Sequence, residues 1–398
     1  MNYLSDRINL LSESETIAMS RKSQELQAKG IDIINLSLGE PDFNTPDFVK
    51  TAGKEAIDKN FSKYMPVAGY PDLREAISKK FKRDNNLNYS AGQIVVSTGA
   101  KQSIANAMLC LLNPGDEVLV PAPYWVSYVE IIKLTGAVAV VVPATIENNF
   151  KVTASQLKKF ITPKTKMLVY SSPCNPTGSV YTKKELKSIA ELIASYKNIF
   201  IIADEIYEYI NYAGKTESIA QFDFIYDRVI TVNGMAKGYA MTGWRIGYIG
   251  APLAIAQACD KLQGQITSGA SSIAQRATNA AVGNADLSTV EVMKNAFHKR
   301  RDMILDLLRE IPGVKSNVPD GAFYVFPEVK SYFGKKFNDS AINSADELSM
   351  YLLTEGHVAT VSGNAFGDKN CIRISYAASE EKIREAMKRI KESLSRLN

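Results

Sequence analysis

Residues 228–248 read RVITVNGMAKGYAMTGWRIGY. The opening six residues carry the β-branched, apolar pattern of a buried strand. A loop of glycines and small residues follows and carries Lys237, then Arg245 between Gly243 and Gly247. A lysine just past a buried strand is poorly solvated, which lowers its pKa and makes it a nucleophile toward an aldehyde. Read alone, an ordinary surface lysine fits the same position. A guanidinium among glycines offers a two-pronged donor suited to a phosphate dianion.

Outward from this stretch the pattern repeats. Strand-like runs at 94–97, 117–121, 166–171, 198–203 and 246–250 alternate with helical stretches at 46–60, 70–85, 100–112 and 182–197. Alternation of this kind predicts an α/β domain with a mostly parallel sheet. Such sheets bind ligands beyond the carboxyl ends of their strands, so that is where chemistry is sought. Past about residue 285 a long helical pattern runs to about 310, and a turn follows at Ile311-Pro312-Gly313. Short strands at 322–326, 357–361 and 371–375 and helices near 344–355 and 379–396 predict a second, smaller α+β domain. A helix at 14–29 and a strand at 31–36 could pack on either one. We expect a large domain over 45–290 and a small one made of 1–44 and 291–398.

Three other strand ends carry candidate groups. In NIFIIADEIY (198–207) Asp204 closes a buried strand, where a carboxylate needs a cationic partner. Tyr207 is about one helical turn further on, so both can face one ligand. Alone, Asp204 also reads as a helix N-cap. In STGAK (97–101) Gly99, Ala100 and Lys101 open a helix whose free N–H groups suit an anion. In SSPCNPTG (171–178) a tight turn presents the Asn175 amide. Together they supply what pyridoxal phosphate demands: an amine for the aldehyde, an acid for the ring nitrogen, and anchors for phosphate and ring oxygen.

Composition narrows the alternatives. Hydrophobic residues make up 45% and charged residues 22% of 398, as in a soluble globular enzyme of two or three domains. The net charge of +5 is mild, and the basic clusters, such as Lys299-Arg300-Arg301, are short, which argues against nucleic-acid binding. No membrane association is expected, because the longest apolar runs, such as AVAVVVPA (137–144), fall far short of a membrane span. The acidic start, MNYLSDRINLLSESET, lacks the apolar run of a signal peptide. Cys110, Cys174, Cys259 and Cys371 are scattered without metal-ligand spacing, which fits a reducing cytoplasm and no metal. His298 and His357 are the only histidines and sit in ordinary helical and strand contexts. Proton chemistry then falls to lysine, tyrosine or carboxylates.

The sequence resembles the fold-type I, class I pyridoxal-phosphate-dependent aminotransferases, most closely the bacterial aspartate aminotransferase group. The resemblance runs from about Ser14 to Ser379. Its markers are LSLGEPDF (36–43), KYMPVAGYPDLREAI (63–77), PAPYWVSY (121–128), SSPCNPTG (171–178), ADEIY (203–207), NGMAKGYAMTGWRIGY (233–248) and RISYA (373–377). It implies a mostly parallel seven-stranded sheet between helices plus a smaller α+β domain. It implies that Lys237 holds pyridoxal 5′-phosphate as a Schiff base and then moves the substrate proton. Asp204 would pair with the ring nitrogen, Tyr207 and Asn175 with the ring oxygen, and Trp125 would stack on the ring. Gly99, Ala100, Lys101 and Arg245 would hold the phosphate region, joined by Tyr64 of a neighbouring subunit in a homodimer. Arg373, helped by the Gly39 backbone, would clamp the substrate α-carboxylate.

Two departures bear on specificity. Many relatives carry serines before the lysine, whereas here the run is Gly234-Met235-Ala236-Lys237, the mark of one branch of the aspartate group. In that branch a lysine and a threonine, matched here by Lys101 and Thr16, are credited with reading the distal carboxylate. Branch members that also use prephenate carry a basic residue shortly before that threonine, where this chain has Ser12 and Glu13. The resemblance therefore implies transfer of the amino group from L-aspartate to 2-oxoglutarate in a ping-pong cycle through a pyridoxamine form. The alternatives are an aromatic, alanine or prephenate aminotransferase, or a lyase on the same cofactor.

Overall fold

The computed structural model describes residues 3–398. A seven-stranded sheet organises the larger part of it. In chain order its strands are β1 (Ile94–Ser97), β2 (Glu117–Ala122), β3 (Val138–Pro143), β4 (Thr165–Ser171), β5 (Phe200–Asp204), β6 (Val229–Asn233) and β7 (Gly247–Gly250). They lie in the order β1-β7-β6-β5-β4-β2-β3. Only β7 runs against its neighbours; all other pairs are parallel. The carboxyl ends of β1, β2, β4, β5 and β6 therefore meet on one edge of the sheet, and β7 begins there.

The strand sequences are near-continuous apolar runs because helices cover both faces. Alternate residues of β4 serve different cores: Leu168 and Tyr170 join Ile201, Tyr248 and Leu186 on one face, while Met167 and Val169 join Ile202, Ile230 and Ile104 on the other. The second face is sealed by the helices Ala100–Leu111, Ser127–Thr135 and Leu253–Ile266. A third core gathers Ile34, Leu36, Phe297, Ile304, Tyr324, Leu352, Ile374 and Ile390. It unites the helices Ser288–Arg309, Ala345–Thr354 and Glu380–Ser395 with the short strands Tyr324–Val325 and Ile372–Ser375. The early strand Ile34–Asn35 pairs in parallel with Val358–Ala359, so the first segment of the chain is stitched to the last.

The apolar run at 137–144, expected to fall short of a membrane span, forms the sheet-edge strand β3, with Val138 and Val141 exposed. Two other expectations need correction. The stretch read as one helix over 70–85 is an α-helix, Pro71–Lys80, that widens into a π-turn over Phe81–Asn85. Residues after Asp204 form successive turns rather than a helix, closed by Glu208 N–H to Glu205 O and Ile210 N–H to Tyr207 O. Among the described residues no helix is long and apolar enough to cross a membrane.

Beneath the end of β5 lies a buried polar cluster. The Lys80 ammonium, fully buried, contacts Glu208 and donates to Asn85 Oδ1 at 3.0 Å, while Asn85 donates to Glu208 Oε2 at 2.8 Å. Beside it Glu205 is 1% exposed, and neither of its carboxylate oxygens has a well-formed hydrogen bond among the described residues. Burial is the main force that pushes its carboxyl up to about 8; nearby Ser218 and Lys80 oppose the shift and Glu208 adds to it. Below the ordinary carboxylate value of 4.5 both states hold the proton; between there and about 8 only the folded state does. The stability this proton confers is thus full at low pH and is lost as pH rises through about 8. Glu205→Gln is therefore expected to stabilise the protein increasingly between about pH 6 and about pH 9, read as a widening gap in Tm of several degrees over wild type. A gap that does not change with pH would contradict this.

Candidate active site

A cavity of about 290 Å³ opens at the carboxyl edge of the sheet and collects groups from every segment singled out in the sequence except 63–77. Gly99, Ala100 and Lys101 reach it from the turn after β1, Trp125 from the turn after β2, and Asn175 from the loop after β4. Asp204 and Tyr207 enter from β5, Lys237 from the loop after β6, and Arg245 from just before β7. Thr16, Gly39 and Arg373 complete the wall from the other side. Tyr64 alone among the expected residues lies outside it and is 96% exposed. Neither histidine lines it; His298 stacks on Tyr212 with ring centres 4.8 Å apart.

The anion-binding end is built by close backbone approach. Gly99 sits at φ +82 and its helix starts at Ala100, which leaves the first N–H groups of that helix free. A Cβ on Gly99 would overlap the Arg245 guanidinium, and one on Gly247 would overlap the Ala100 nitrogen. Both positions must be bare for the cradle to close. Arg245 itself takes a left-handed φ of 57, unusual for a residue with a side chain, and its Nη1 donates to Thr242 O at 2.9 Å. Lys101, in the first helical turn, holds its ammonium 5.1 Å from the Trp125 ring. Burial, then Arg245, holds its pKa below the usual lysine value.

The reactive end brings together an amine, a buried carboxylate and a buried phenol. Lys237 Nζ donates to Gly39 O at 2.6 Å and lies 5.7 Å from the Tyr207 ring. Burial drives its pKa down to about 8; Glu40 and Asp204 resist, while Arg373 and Arg245 assist. Asp204 is 4% exposed. Its carboxyl is pushed up to about 6 by burial, against the hydrogen bond from Tyr128 at 2.7 Å, the Ile206 N–H at 3.3 Å and the Lys237 charge. Tyr207 shares a hydrogen bond of 2.7 Å with Tyr324, and burial raises its pKa well above the usual phenol value.

Arg373 is 2% exposed and makes no ion pair among the described residues. Its Nη1 donates to Asn175 Oδ1 at 3.0 Å, its Nη2 to Ser37 O, and its Nε has no partner. The guanidinium is packed against the rings of Tyr324, at 4.6 Å, and Phe366, at 4.9 Å. A buried cation without a counter-ion is expensive, and a carboxylate from solution would complete it. Tyr128 and Tyr324 were not singled out as functional from the sequence. Tyr128 lies inside PAPYWVSY, three residues past Trp125, so its helical spacing was the one available signal.

The donor set fits the cofactor that the sequence implied. It has an amine near neutrality, a buried acid in need of a cation, a phenol and a bare backbone cradle beside a guanidinium. The amine gives a direct check. Lys237 is expected to react with a small aldehyde, trapped by borohydride, at a rate half-maximal near pH 8 rather than at the 10.5 of an exposed lysine. Labelling that follows the exposed-lysine profile, or that persists in Lys237→Arg, would contradict the assignment.

Known proteins share this chain's sequence family and fold. Residues 31–390 match the family described as aminotransferase class I and II. A probable aspartate/prephenate aminotransferase of Rhizobium leguminosarum bv. phaseoli is 46% identical over 98% of this chain and 98% of its own. The aspartate aminotransferase structure from Rhizobium meliloti superposes with a TM-score of 0.96 at 37% identity, covering 100% of both chains. The aspartate aminotransferase of Thermus thermophilus with maleate does so with a TM-score of 0.93 at 38% identity, covering 99% of this chain and 100% of that one. With a full-length match in sequence and in fold, and an amine, an acid and an anion cradle at one sheet edge, this chain belongs to the class I and II aminotransferases.

Proposed function

We propose that the chain is an aspartate aminotransferase, moving the amino group of L-aspartate to 2-oxoglutarate with pyridoxal 5′-phosphate as cofactor. The observation that carries this reading is Arg373, a buried guanidinium with no counter-ion among the described residues, in the same cavity as the Lys101 ammonium. Two separate cations suit a substrate with two carboxylates. The names of the relatives support the same substrate. The maleate in the Thermus thermophilus structure is a four-carbon dicarboxylate.

When bound, pyridoxal phosphate supplies a ring that takes up the electron pair left when the substrate Cα loses its proton. The chain does the rest. Arg373 grips the α-carboxylate with its fork, beside the Gly39 backbone, and so orients the Cα hydrogen. Lys237 Nζ removes that proton; a pKa of about 8 leaves part of it neutral at physiological pH. Asp204 would hold the proton on the ring nitrogen, Tyr207 and Asn175 would bond the ring oxygen, and Trp125 would stack on the ring. The backbone N–H groups at Gly99, Ala100 and Lys101, with the Arg245 guanidinium, would hold the phosphate. Lys101, with Thr16 beside it, pairs with the distal carboxylate.

Tyr64, exposed and outside the cavity, is read as reaching the phosphate of a second copy, which makes the working unit a homodimer. The chain is read as a large unit, 45–290, and a small one formed by 1–44 with 291–398, of which residues 1 and 2 lie outside the described residues. Its four cysteines are free, which suits the cytoplasm. A second reading, amination of prephenate, is favoured by the name of the Rhizobium leguminosarum relative. Against it stands Glu13, which pairs with Arg21 at 2.7 Å where a free cation would serve that substrate.

Lys101→Ala, assayed with saturating cofactor, decides the substrate. A hydrogen bond to an ion is worth roughly 1.5–3 kcal/mol, so kcat/KM for aspartate and 2-oxoglutarate is expected to fall about ten- to a hundredfold. Alanine and phenylalanine should change by less than about threefold, because they lack the distal charge. An equal loss on all substrates would overturn the dicarboxylate assignment.

A further inference from the structure

Asp204 is held by a group that the reading above leaves without a role. Tyr128 is 1% exposed, and its hydroxyl donates to Asp204 Oδ2 at 2.7 Å. The other carboxylate oxygen, Oδ1, receives only the Ile206 N–H among the described residues, at 3.3 Å. Asp204 makes no ion pair among the described residues, so the phenol is its strongest single contact. The donor is also pinned. Tyr128 sits in the first turn of the helix Ser127–Thr135. Its ring meets Trp125 edge to face, with centres 5.4 Å apart at 86°. The turn that presents Trp125 to the cavity thereby also aims the phenol at Asp204.

We propose that Tyr128 is a positioning residue that keeps Asp204 in its ionised form, so that the ring nitrogen of the bound cofactor retains its proton. The proposal rests on the cofactor reading above. The proton between a carboxylate and a pyridine nitrogen resides on the more basic of the two. Burial makes Asp204 a stronger base than an exposed aspartate, which favours transfer of the proton from nitrogen to oxygen. A hydrogen bond donated to the carboxylate stabilises the anion and opposes that transfer. The phenol cannot give up its own proton instead, since burial and the neighbouring Asp204 charge raise its pKa well above 10. Without the donor, one proton moves from the ring nitrogen to Asp204. The ring becomes neutral and withdraws electrons less strongly from the substrate.

The test loads wild type and Tyr128→Phe with pyridoxal phosphate carrying 15N in the ring and reads the 15N chemical shift. This variant keeps the ring and its contact with Trp125; should it fail to fold by its melting curve, Tyr128→Met carries the same comparison. Wild type is expected at the protonated pyridinium position and the variant displaced toward neutral pyridine. Alongside, kcat should fall roughly ten- to a hundredfold, while KM for aspartate stays within about twofold, since Arg373 and Lys101 are untouched. A folded, loaded variant whose ring nitrogen keeps the wild-type shift overturns the proposal, whatever its kcat. So does a wild type whose ring nitrogen is already neutral. A wild type that takes up none of the label overturns the cofactor reading itself, and this inference with it.

Discussion

Removal of water from charged groups is the constraint on which the site depends. Asp204, Lys237 and Arg373 all sit in the cavity walls, and none has an ion-pair partner among the described residues. Such groups cost folding energy, and what they lack defines what the cavity takes up. Arg373 lacks a carboxylate. Asp204 lacks a cation, which a protonated ring nitrogen of the proposed cofactor would provide. Lys237 answers the same pressure by a lowered pKa, and that makes it a base at physiological pH. Specificity and catalysis thus share one physical source.

Backbone approach makes that arrangement possible. The parallel strands bring five chain segments to one edge, and the antiparallel β7 closes the cradle by placing Gly247 against the start of the helix at Ala100. From the opposite wall, Gly39 lies so close to Tyr324 that a Cβ there would overlap its hydroxyl. Gly39 O accepts the Lys237 ammonium, and Tyr324 bonds Tyr207 and packs on Arg373. The segment that begins at Leu36 is therefore tied to the amine, the phenol and the guanidinium together. A change of packing there would reach all three.

The parts of this site that follow buried strands were legible in the sequence. Lys237, Asp204, Gly99 and Asn175 stand directly after apolar runs, where a strand end can be located to within a residue or two. Arg373 was legible only through the resemblance: its strand, Ile372–Ser375, was expected, but nothing in that short run sets the arginine apart from one in a structural ion pair. Tyr128 and Tyr324 were not legible as site residues. Their partners, Asp204 and Tyr207, lie 76 and 117 residues away in the chain, and an isolated tyrosine reads as core. The helices Leu253–Ile266 and Ser272–Gly283 escaped notice for another reason. Their buried faces carry Ala256, Cys259, Ala277 and Ala281, so the contrast between buried and exposed sides is weak.

The account's central claim is amino-group transfer from a dicarboxylic amino acid. It is tested most directly by the visible absorbance of the purified protein loaded with pyridoxal phosphate, before and after excess L-aspartate with no oxo acid present. The account predicts that the yellow band bleaches to the pyridoxamine form and returns when 2-oxoglutarate is added. A band that aspartate leaves unmoved while alanine or phenylalanine bleaches it would contradict the substrate, and a protein that takes up no cofactor would contradict the account as a whole.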